Sequence, residues 1–210
     1  MIQCFFEKFS NLIPIIKSLC YNVFIGVIME KAADKEELLK VLDDNGKYTE
    51  KLEKRSIVHK DKLFHNEVAL WIIDKENKKV LLQRRSPNKK QNPNKLALCA
   101  GHVVGEESIY EALRKEAQEE IGINIDYYDV KNLTTIKRTE PQNYCFSHHF
   151  YILKKIPLKN FTIQKEELSE VLYMDYNQLK QLVMSNSDEV VFKWNEAYQK
   201  LFGILDKIIL

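Results

Sequence analysis

One stretch constrains this chain more than any other: Gly101 to Ile123, GHVVGEESIYEALRKEAQEEIGI. Ser108 and Glu111 have the spacing of a capping box, and Gly122 stands where a helix ends in a left-handed residue. A helix is expected between them. At about 100° per residue, Ile109, Ala112, Leu113, Ala117 and Ile121 line up as one apolar stripe. Glu116 and Glu120 project into the middle of that stripe, and Glu119 lies on its flank. Burying the stripe carries two carboxylates inward with it.

A buried carboxylate without a partner is costly, so it becomes protonated or finds a cation. Spacings of three and four residues put Glu116, Glu119 and Glu120 within reach of one another. Oxygen ligands alone, with no sulfur or clustered imidazole, suit a hard cation such as Mg²⁺ or Mn²⁺. Ordinary i,i+4 pairing among Glu111, Lys115 and Glu119 accounts for Glu111 and part of Glu119. It leaves Glu116 and Glu120 unexplained.

Elsewhere the chain reads as a set of strands and flanking helices. Asp34–Leu42 looks helical, with Asp34 as its cap. Two apolar, β-branched runs, Glu67–Ile73 and Val80–Arg85, flank the polar turn Asp74–Lys79 as a hairpin. Ser86–Lys95, marked by Pro87 and Pro93, is a loop, and Leu96–Ala100 is a short strand ending at Gly101. Asp129–Arg138, Tyr144–Leu153 and Ser169–Met174 are further strands. Asp175 is placed to cap a helix over Tyr176–Met184, and Asp188 to cap a last helix running towards Leu205. Strands around one central helix, with helices beside them, give an α+β or α/β sandwich.

The 210 residues suffice for one well-cored domain with extensions, and a net charge of +2 gives no reason to expect a nucleic-acid polymer as partner. Charge is nevertheless segregated. Lys75–Lys95 is basic, including Arg84, Arg85 and Lys95, while Glu106–Glu120 is acidic. A metal–phosphate site requires that juxtaposition, although each lysine alone is better read as solvated surface. Cys4, Cys20, Cys99 and Cys145 form no CxxC pair, so neither a zinc site nor a disulfide framework is expected and a cytoplasmic setting is the default. Residues 1–28 stand apart. Pro14 and Lys17 interrupt the apolar run Leu12–Ile28, which argues against stable membrane association, and no cleavage site for a secretory signal is evident. They are expected to be a packing helix or non-native upstream sequence preceding a start at Met29, the second being favoured, with a single domain over 29–210.

The Gly101–Ile123 segment resembles the Nudix box: glycine, five residues, glutamate, seven residues, then Arg-Glu-apolar-x-Glu-Glu-x-Gly-apolar. Gly101, Glu107, Glu116, Ala117, Glu119, Glu120, Gly122 and Ile123 fill it in register, and Lys115 replaces its arginine. The resemblance implies a Nudix-type α/β/α sandwich with a mixed central sheet, covering roughly Glu30 to the C-terminus. It also implies a metal-dependent hydrolase of a diphosphate linkage in a nucleoside diphosphate derivative or related small molecule. Glu116, Glu119 and Glu120 would hold Mg²⁺ or Mn²⁺. Glu116, Glu119 and Lys115 would serve catalysis, and Gly101, Glu107 and Gly122 would support the box. Lysine keeps the charge of the family's arginine and loses its planar fork. A further glutamate from a later loop is common in the family, and Glu166, Glu167 and Glu170 are the candidates. Many relatives form homodimers.

Substrate contacts are assigned to Arg84, Arg85 and Lys95, with at most one of the two arginines reaching the phosphates if both lie on a strand. Trp71, Tyr144 and Phe146 are candidates to stack on a base, against the plainer reading of strand aromatics as core. The stretch LLQRRSPNKKQNP with CAGHVVGEES also resembles the branch nearest type I isopentenyl-diphosphate isomerase. There, histidines bind a metal and a cysteine precedes the Gly-His pair. His59, His65 and His102 stand where those histidines are expected, yet the residue before Gly101 is Ala100 and Cys99 is one place early. One step along a strand turns a side chain to the other face. The isomerase's two later glutamates also have no counterpart near Gln142 and Tyr144. Hydrolase is therefore the favoured reading, with an isomerase-like enzyme and a non-catalytic diphosphate sensor as alternatives, and His59 and His65 are read as surface or packing residues.

Overall fold

The computed structural model describes residues 36–140 and 143–210. The readings of residues 1–28, of Cys4 and Cys20, of the Asp34 cap and of Gln142 lie outside them. Leu38–Leu210 forms one compact unit. Its organising element is strand β3 (His65–Asp74), in which every residue from Val68 to Asp74 is buried. Such a run, without polar alternation, marks a strand covered on both faces. Val68, Leu70 and Ile72 face one core and Ala69, Trp71 and Ile73 the other.

Strands β1 (Leu38–Leu42) and β2 (Tyr48–Lys54) form a separate antiparallel pair, followed by the short helix α1 (Arg55–Lys60). Leu39, Val41 and Val58 close a small core there with Leu63 and Val104. The main sheet has seven strands. β3 and β4 (Lys79–Arg85) form the expected hairpin, paired at Ile73–Val80 and Asp74–Lys79. Beyond those pairs the two strands part. β6 (Cys99–His102) pairs antiparallel with the first half of β3, and β5 (Leu96–Ala97) pairs with the end of β4. β8 (Asn143–Leu153) runs parallel to β3 along its length, with β7 (Lys131–Glu140) antiparallel outside it and β9 (Leu168–Asp175) against β4.

Helix α2 (Ile109–Ile121) covers the Val68/Leu70/Ile72 face with Ala112, Leu113, Ala117 and Ile121. Helices α3 (Tyr176–Met184) and α4 (Glu196–Ile209) supply Leu179, Val183, Leu201, Phe202 and Leu205 to the opposite core. The result is an α+β architecture with a mixed sheet between helical layers, as the sequence implies. Asp175 caps α3 as expected, accepting from the N–H groups of Asn177 and Gln178 at 2.9 and 3.0 Å.

Three local readings are corrected. Residues 38–42 are strand, not helix: Leu39, Val41 and Leu42 are buried, and pairing with β2 overrides local helical propensity. The single strand over Leu96–Ala100 is two, because the chain leaves β4 after Ala97 and joins β3 at Cys99. The last helix starts at Glu196 under Asn195, whose side chain accepts from the Tyr198 N–H at 3.0 Å, and not under Asp188. Among the described residues no helix is long and apolar enough to cross a membrane.

Candidate active site

Helix α2 is fixed at both ends. Ser108 Oγ accepts from the Glu111 N–H at 3.2 Å while Glu111 accepts from the Ser108 N–H at 2.7 Å, completing the capping box. Gly122 ends the helix at φ 69°, the left-handed conformation that glycine adopts without penalty. The following loop returns to this end, where the N–H groups of Thr162 and Gln164 reach the carbonyls of Ile121 and Glu120 at 3.1 Å each.

The apolar stripe is buried and Glu120 goes in with it, 8% exposed. Its carboxylate accepts from Gln83 Nε2 at 2.9 Å and the Ala100 N–H at 3.2 Å, and also from the Cys99 thiol. Burial pushes Glu120 above the usual carboxylate range even so, and nearby Glu167 adds to it while those hydrogen bonds oppose it. Glu116 is half-buried against β6. A Cβ at Gly101 would lie 2.1 Å from Glu116 Cδ, so the glycine of the box is the space into which this carboxylate fits. Glu119 is exposed on the flank.

Lys115 does not lie idle. Its Nζ reaches both oxygens of Glu107 at 3.1 and 3.2 Å and stands 3.9 Å from Glu116 Oε1. Glu107 in turn accepts from the Val104 N–H, tying the Gly101–Glu107 loop to the helix. Of the later glutamates, Glu167 is the one in electrostatic range of Glu120, and it is ion-paired with Lys89. Glu170 is drawn off by Arg84 Nε at 2.6 Å, and Glu166 is exposed. Arg84 also donates to the Asn94 carbonyl, Arg85 Nε donates to the Gln91 carbonyl at 3.2 Å, and Lys95 faces Asp188 at 3.4 Å. All three basic side chains assigned to substrate are thus engaged by the protein itself.

Trp71 is fully buried and its indole donates to His149 Nδ1 at 3.0 Å, so it is core, which corrects its candidacy as a base-stacking residue. Tyr144 and Phe146 instead cluster with Phe64, at ring separations of 5.5 and 5.4 Å. Cys99 is a buried thiol under α2 and its pKa is pushed up by burial, while Ala100, the next residue, faces out.

Of the histidines read as surface or packing residues, His65 fits the packing alternative and His59 is half-buried, and both rings stand 5.2 Å from that of His102. His65 and His102 are buried, and His59 Nε2 lies 3.1 Å from His102 Nε2. Glu67, which β3–β6 pairing sets opposite His102, stands beside them with Oε1 3.7 Å from His102 Nε2. Asn143 Nδ2 donates to Glu67 at 2.6 Å, Cys145 at 3.1 Å and Arg138 at 3.4 Å. Burial works to raise Glu67, but Arg138, His102 and Asn143 outweigh it and hold the carboxyl down at about 2. Glu67 and Gln83 are the residues that sequence reasoning missed. His65 and Glu67, two apart on one strand, share a face, and that alternation was the available signal.

The α2 carboxylates, with Glu167 close by, make an oxygen-only donor set in which one member is buried and above its usual range. Gln83 Oε1, buried beside them, has no hydrogen-bond partner. Such a set fits a hard divalent cation. Likeness to known proteins gives the family. Residues 63–194 match the family model described as the NUDIX domain. The chain is 29% identical over 181 residues to Nudix hydrolase 3 of Arabidopsis thaliana, covering 81% of this chain and only 23% of that protein's length. It is 24% identical over 131 residues to the prenyl-diphosphate phosphatase of Methanosarcina mazei, covering 62% of this chain and 74% of that one. A solved structure from Deinococcus radiodurans superposes with a TM-score of 0.61 at 16% identity, covering 80% of this chain and 99% of that one, a likeness of fold.

Proposed function

The chain belongs to the Nudix hydrolase family, and from that premise we propose that it is a divalent-metal-dependent enzyme cleaving a diphosphate linkage in a small molecule. The observation that carries this reading is the seating of Glu120 and Glu116, one buried under Gln83 and the Ala100 N–H, the other in the space left by Gly101. A bound Mg²⁺ or Mn²⁺ would neutralise diphosphate oxygens and lower the pKa of a coordinated water. Glu116, Glu119 and Glu120 would hold it, with Glu167 the loop carboxylate nearest to them. Glu120, fixed by three hydrogen-bond donors, is the rigid member of the set. Glu116 is half-buried with an oxygen 3.9 Å from Lys115 Nζ, and it is the group suited to accept the proton of an attacking water. Lys115 acts on Glu107 and through it on the loop that begins at Gly101.

The substrate is a diphosphate carrying an organic group. Nucleoside diphosphate derivatives fit the family, and the likeness to a prenyl-diphosphate phosphatase brings prenyl diphosphates into the same class. Isomerisation of such a compound is a second reading, favoured by the convergence of His59, His65 and His102. Against it, the side chain preceding Gly101 on the histidine face is the methyl of Ala100, and the Cys99 thiol is turned under α2.

Both readings are tested by one assay. Phosphate or nucleotide release is followed over a panel of diphosphates with Mg²⁺ or Mn²⁺, with isopentenyl diphosphate also monitored for isomerisation. Cleavage that requires metal and falls by roughly 100-fold or more in Glu120→Gln is the expected result. Isomerisation without cleavage would overturn it, as would tight binding of one compound with no turnover across the panel.

A further inference from the structure

Strand β2 (Tyr48–Lys54) is the outer edge of the small sheet. Among the described residues its strand partner is β1 alone, and β2 is exposed along almost its whole length. An edge of this kind offers a row of backbone N–H and C=O groups to another strand, and proteins commonly guard such edges with charge that repels one. The charges on β2 do the opposite. Glu50-Lys51-Leu52-Glu53-Lys54 runs acid, base, leucine, acid, base, and read backwards it runs base, acid, leucine, base, acid. Two copies laid antiparallel about Leu52 therefore set Lys51 opposite Glu53 and Glu50 opposite Lys54, each twice, with leucine against leucine at the axis. Opposite charges directly across an antiparallel pair stabilise it, and like charges destabilise it.

The same charges select that register. Sliding one copy by one residue sets Glu50 against Glu53 or Lys51 against Lys54. Sliding it by two sets Lys51 or Glu53 against its own counterpart, and a parallel pair in register opposes every charge to itself. The two faces of the strand agree with it as well. Pairing with β1 sets Glu53 opposite buried Leu39 and Leu52 opposite Lys40, so Lys51 and Glu53 lie on the inner side and Leu52 and Leu38 on the outer. Lys51 Nζ already meets Glu53 Oε1 at 3.2 Å within one chain, and a two-fold axis at Leu52 turns that pair into a ring of four alternating charges. On the outer side, Leu52 and Leu38, 38% and 42% exposed, gain apolar neighbours from the second copy.

We propose that β2 is a self-association surface, pairing antiparallel with β2 of a second copy of this chain about a two-fold axis at Leu52 and joining two hairpins into one four-stranded sheet. A two-fold contact uses the same patch on both partners, which must be complementary to itself, and β2 meets that condition in its order of charges. Its extent is limited. Glu50, at φ 62°, lies in the bulge of β2, and α1 begins at Arg55, so the paired segment is Glu50–Lys54. Strands this short bury less than the roughly 1,000 Å² of a lasting interface, which makes the dimer reversible. The surface also adjoins the box loop through β1, where Gly105 N–H donates to the Leu38 carbonyl at 2.8 Å and Lys40 meets Glu106 at 2.7 Å. Self-association does not depend on the hydrolase reading, and it is measured without substrate or metal.

Sedimentation velocity of the full chain from micromolar to millimolar concentration tests it. A reversible dimer is expected, weakened by added salt because its charges are exposed. Lys51→Glu sets acid against Glu53 twice and should weaken dimerisation by roughly tenfold or more. Lys51→Glu/Glu53→Lys exchanges the two signs and should restore it. An acidic variant, Lys51→Glu/Lys54→Glu, and a basic one, Glu50→Lys/Glu53→Lys, should each be monomeric alone and dimerise when mixed. None of these side chains is buried, so circular dichroism should match wild type throughout. A wild type that stays monomeric over the whole range would overturn the proposal. So would a dimer indifferent to these charges, or one that the exchanged variant fails to restore.

Discussion

The two faces of β3 are built from the same strand and put to different ends. Towards α3 and α4, Trp71 lies among Phe192, Phe202 and His149, and Tyr176 stacks on Phe202 while donating to Asp206 at 2.7 Å. Polar atoms on this side find protein partners, and the helices add a continuous apolar face. Towards α2 the apolar layer is interrupted by Glu120, Gln83 and the bare backbone of Gly101. One side concentrates stability, whereas the other gives some of it up to hold carboxylates where a cation can be bound. The comparison can be broken by substitutions that strike one face and are read on both.

The largest effect is expected on the helical side. Phe202 is 1% exposed and packed edge-on to Trp71, so Phe202→Ala should lower unfolding free energy by about 3–5 kcal/mol. Urea denaturation measures it, and diphosphate cleavage per folded molecule should stay near wild type. Equal losses in activity and stability would show that the faces are not separable. On the α2 side the converse is Gly101→Ala. The added Cβ meets Glu116 Cδ at 2.1 Å, so the carboxylate must move, and a displacement of about 1 Å costs roughly 100-fold in kcat/KM. The urea midpoint should fall much less than in Phe202→Ala. Unchanged kcat/KM would remove Glu116 from the machinery.

Acid should strike the stable face. Burial holds His149 near 3, with Arg138 and His148 adding to the shift and Glu67 opposing it, and the Trp71 indole needs Nδ1 unprotonated. An unfolded histidine takes up its proton near 6.5, so the unfolded chain binds more protons between about 6.5 and 3. This stability is therefore complete above 6.5 and is lost as pH falls, by about 2 kcal/mol at pH 5. Buried His65 and His102, also held down by burial, act in the same direction. Urea midpoints at pH 7 and pH 5 decide it, and equal midpoints would refute it.

What was legible in the sequence follows the same division. Helix α2, its capping box, its left-handed end and its inward carboxylates were all readable, because each rests on contacts within a few residues. So was the β3–β4 hairpin, from two apolar runs around a polar turn. The partners of those carboxylates were not. Gln83 reaches Glu120 only because β4 parts from β3 after Val80 and β6 enters the gap. Glu67 and His102 meet through strand register, and His59 arrives on a six-residue helix that shows no amphipathic period. Asp188 misled because a capping residue type is a local signal, while the start of α4 is set by where Tyr198, Leu201 and Phe202 pack.

Lys115 is where the two kinds of evidence meet, and it carries the smallest expected effect. By sequence it is a departure from the box that keeps the charge of the family's arginine and loses its planar fork. In the structure its ammonium instead bridges both oxygens of Glu107, which holds the Val104 N–H, and stands only at the margin of Glu116. Its pKa is raised: burial opposes the charge, but the hydrogen bond and charge of Glu107 outweigh it, so the ion pair persists at neutral pH. Lys115→Arg keeps the charge and adds a planar fork that matches a carboxylate, so kcat should stay within about threefold of wild type. Lys115→Met removes the bridge, frees the Gly101–Glu107 loop from the helix and should lower kcat roughly tenfold, with about 1 kcal/mol lost in stability for a partly exposed pair. If Lys115→Arg instead raised kcat tenfold or more, the fork would matter at Glu116 and not at Glu107. The lysine would then be a partial loss of function and not an equivalent way of anchoring the loop.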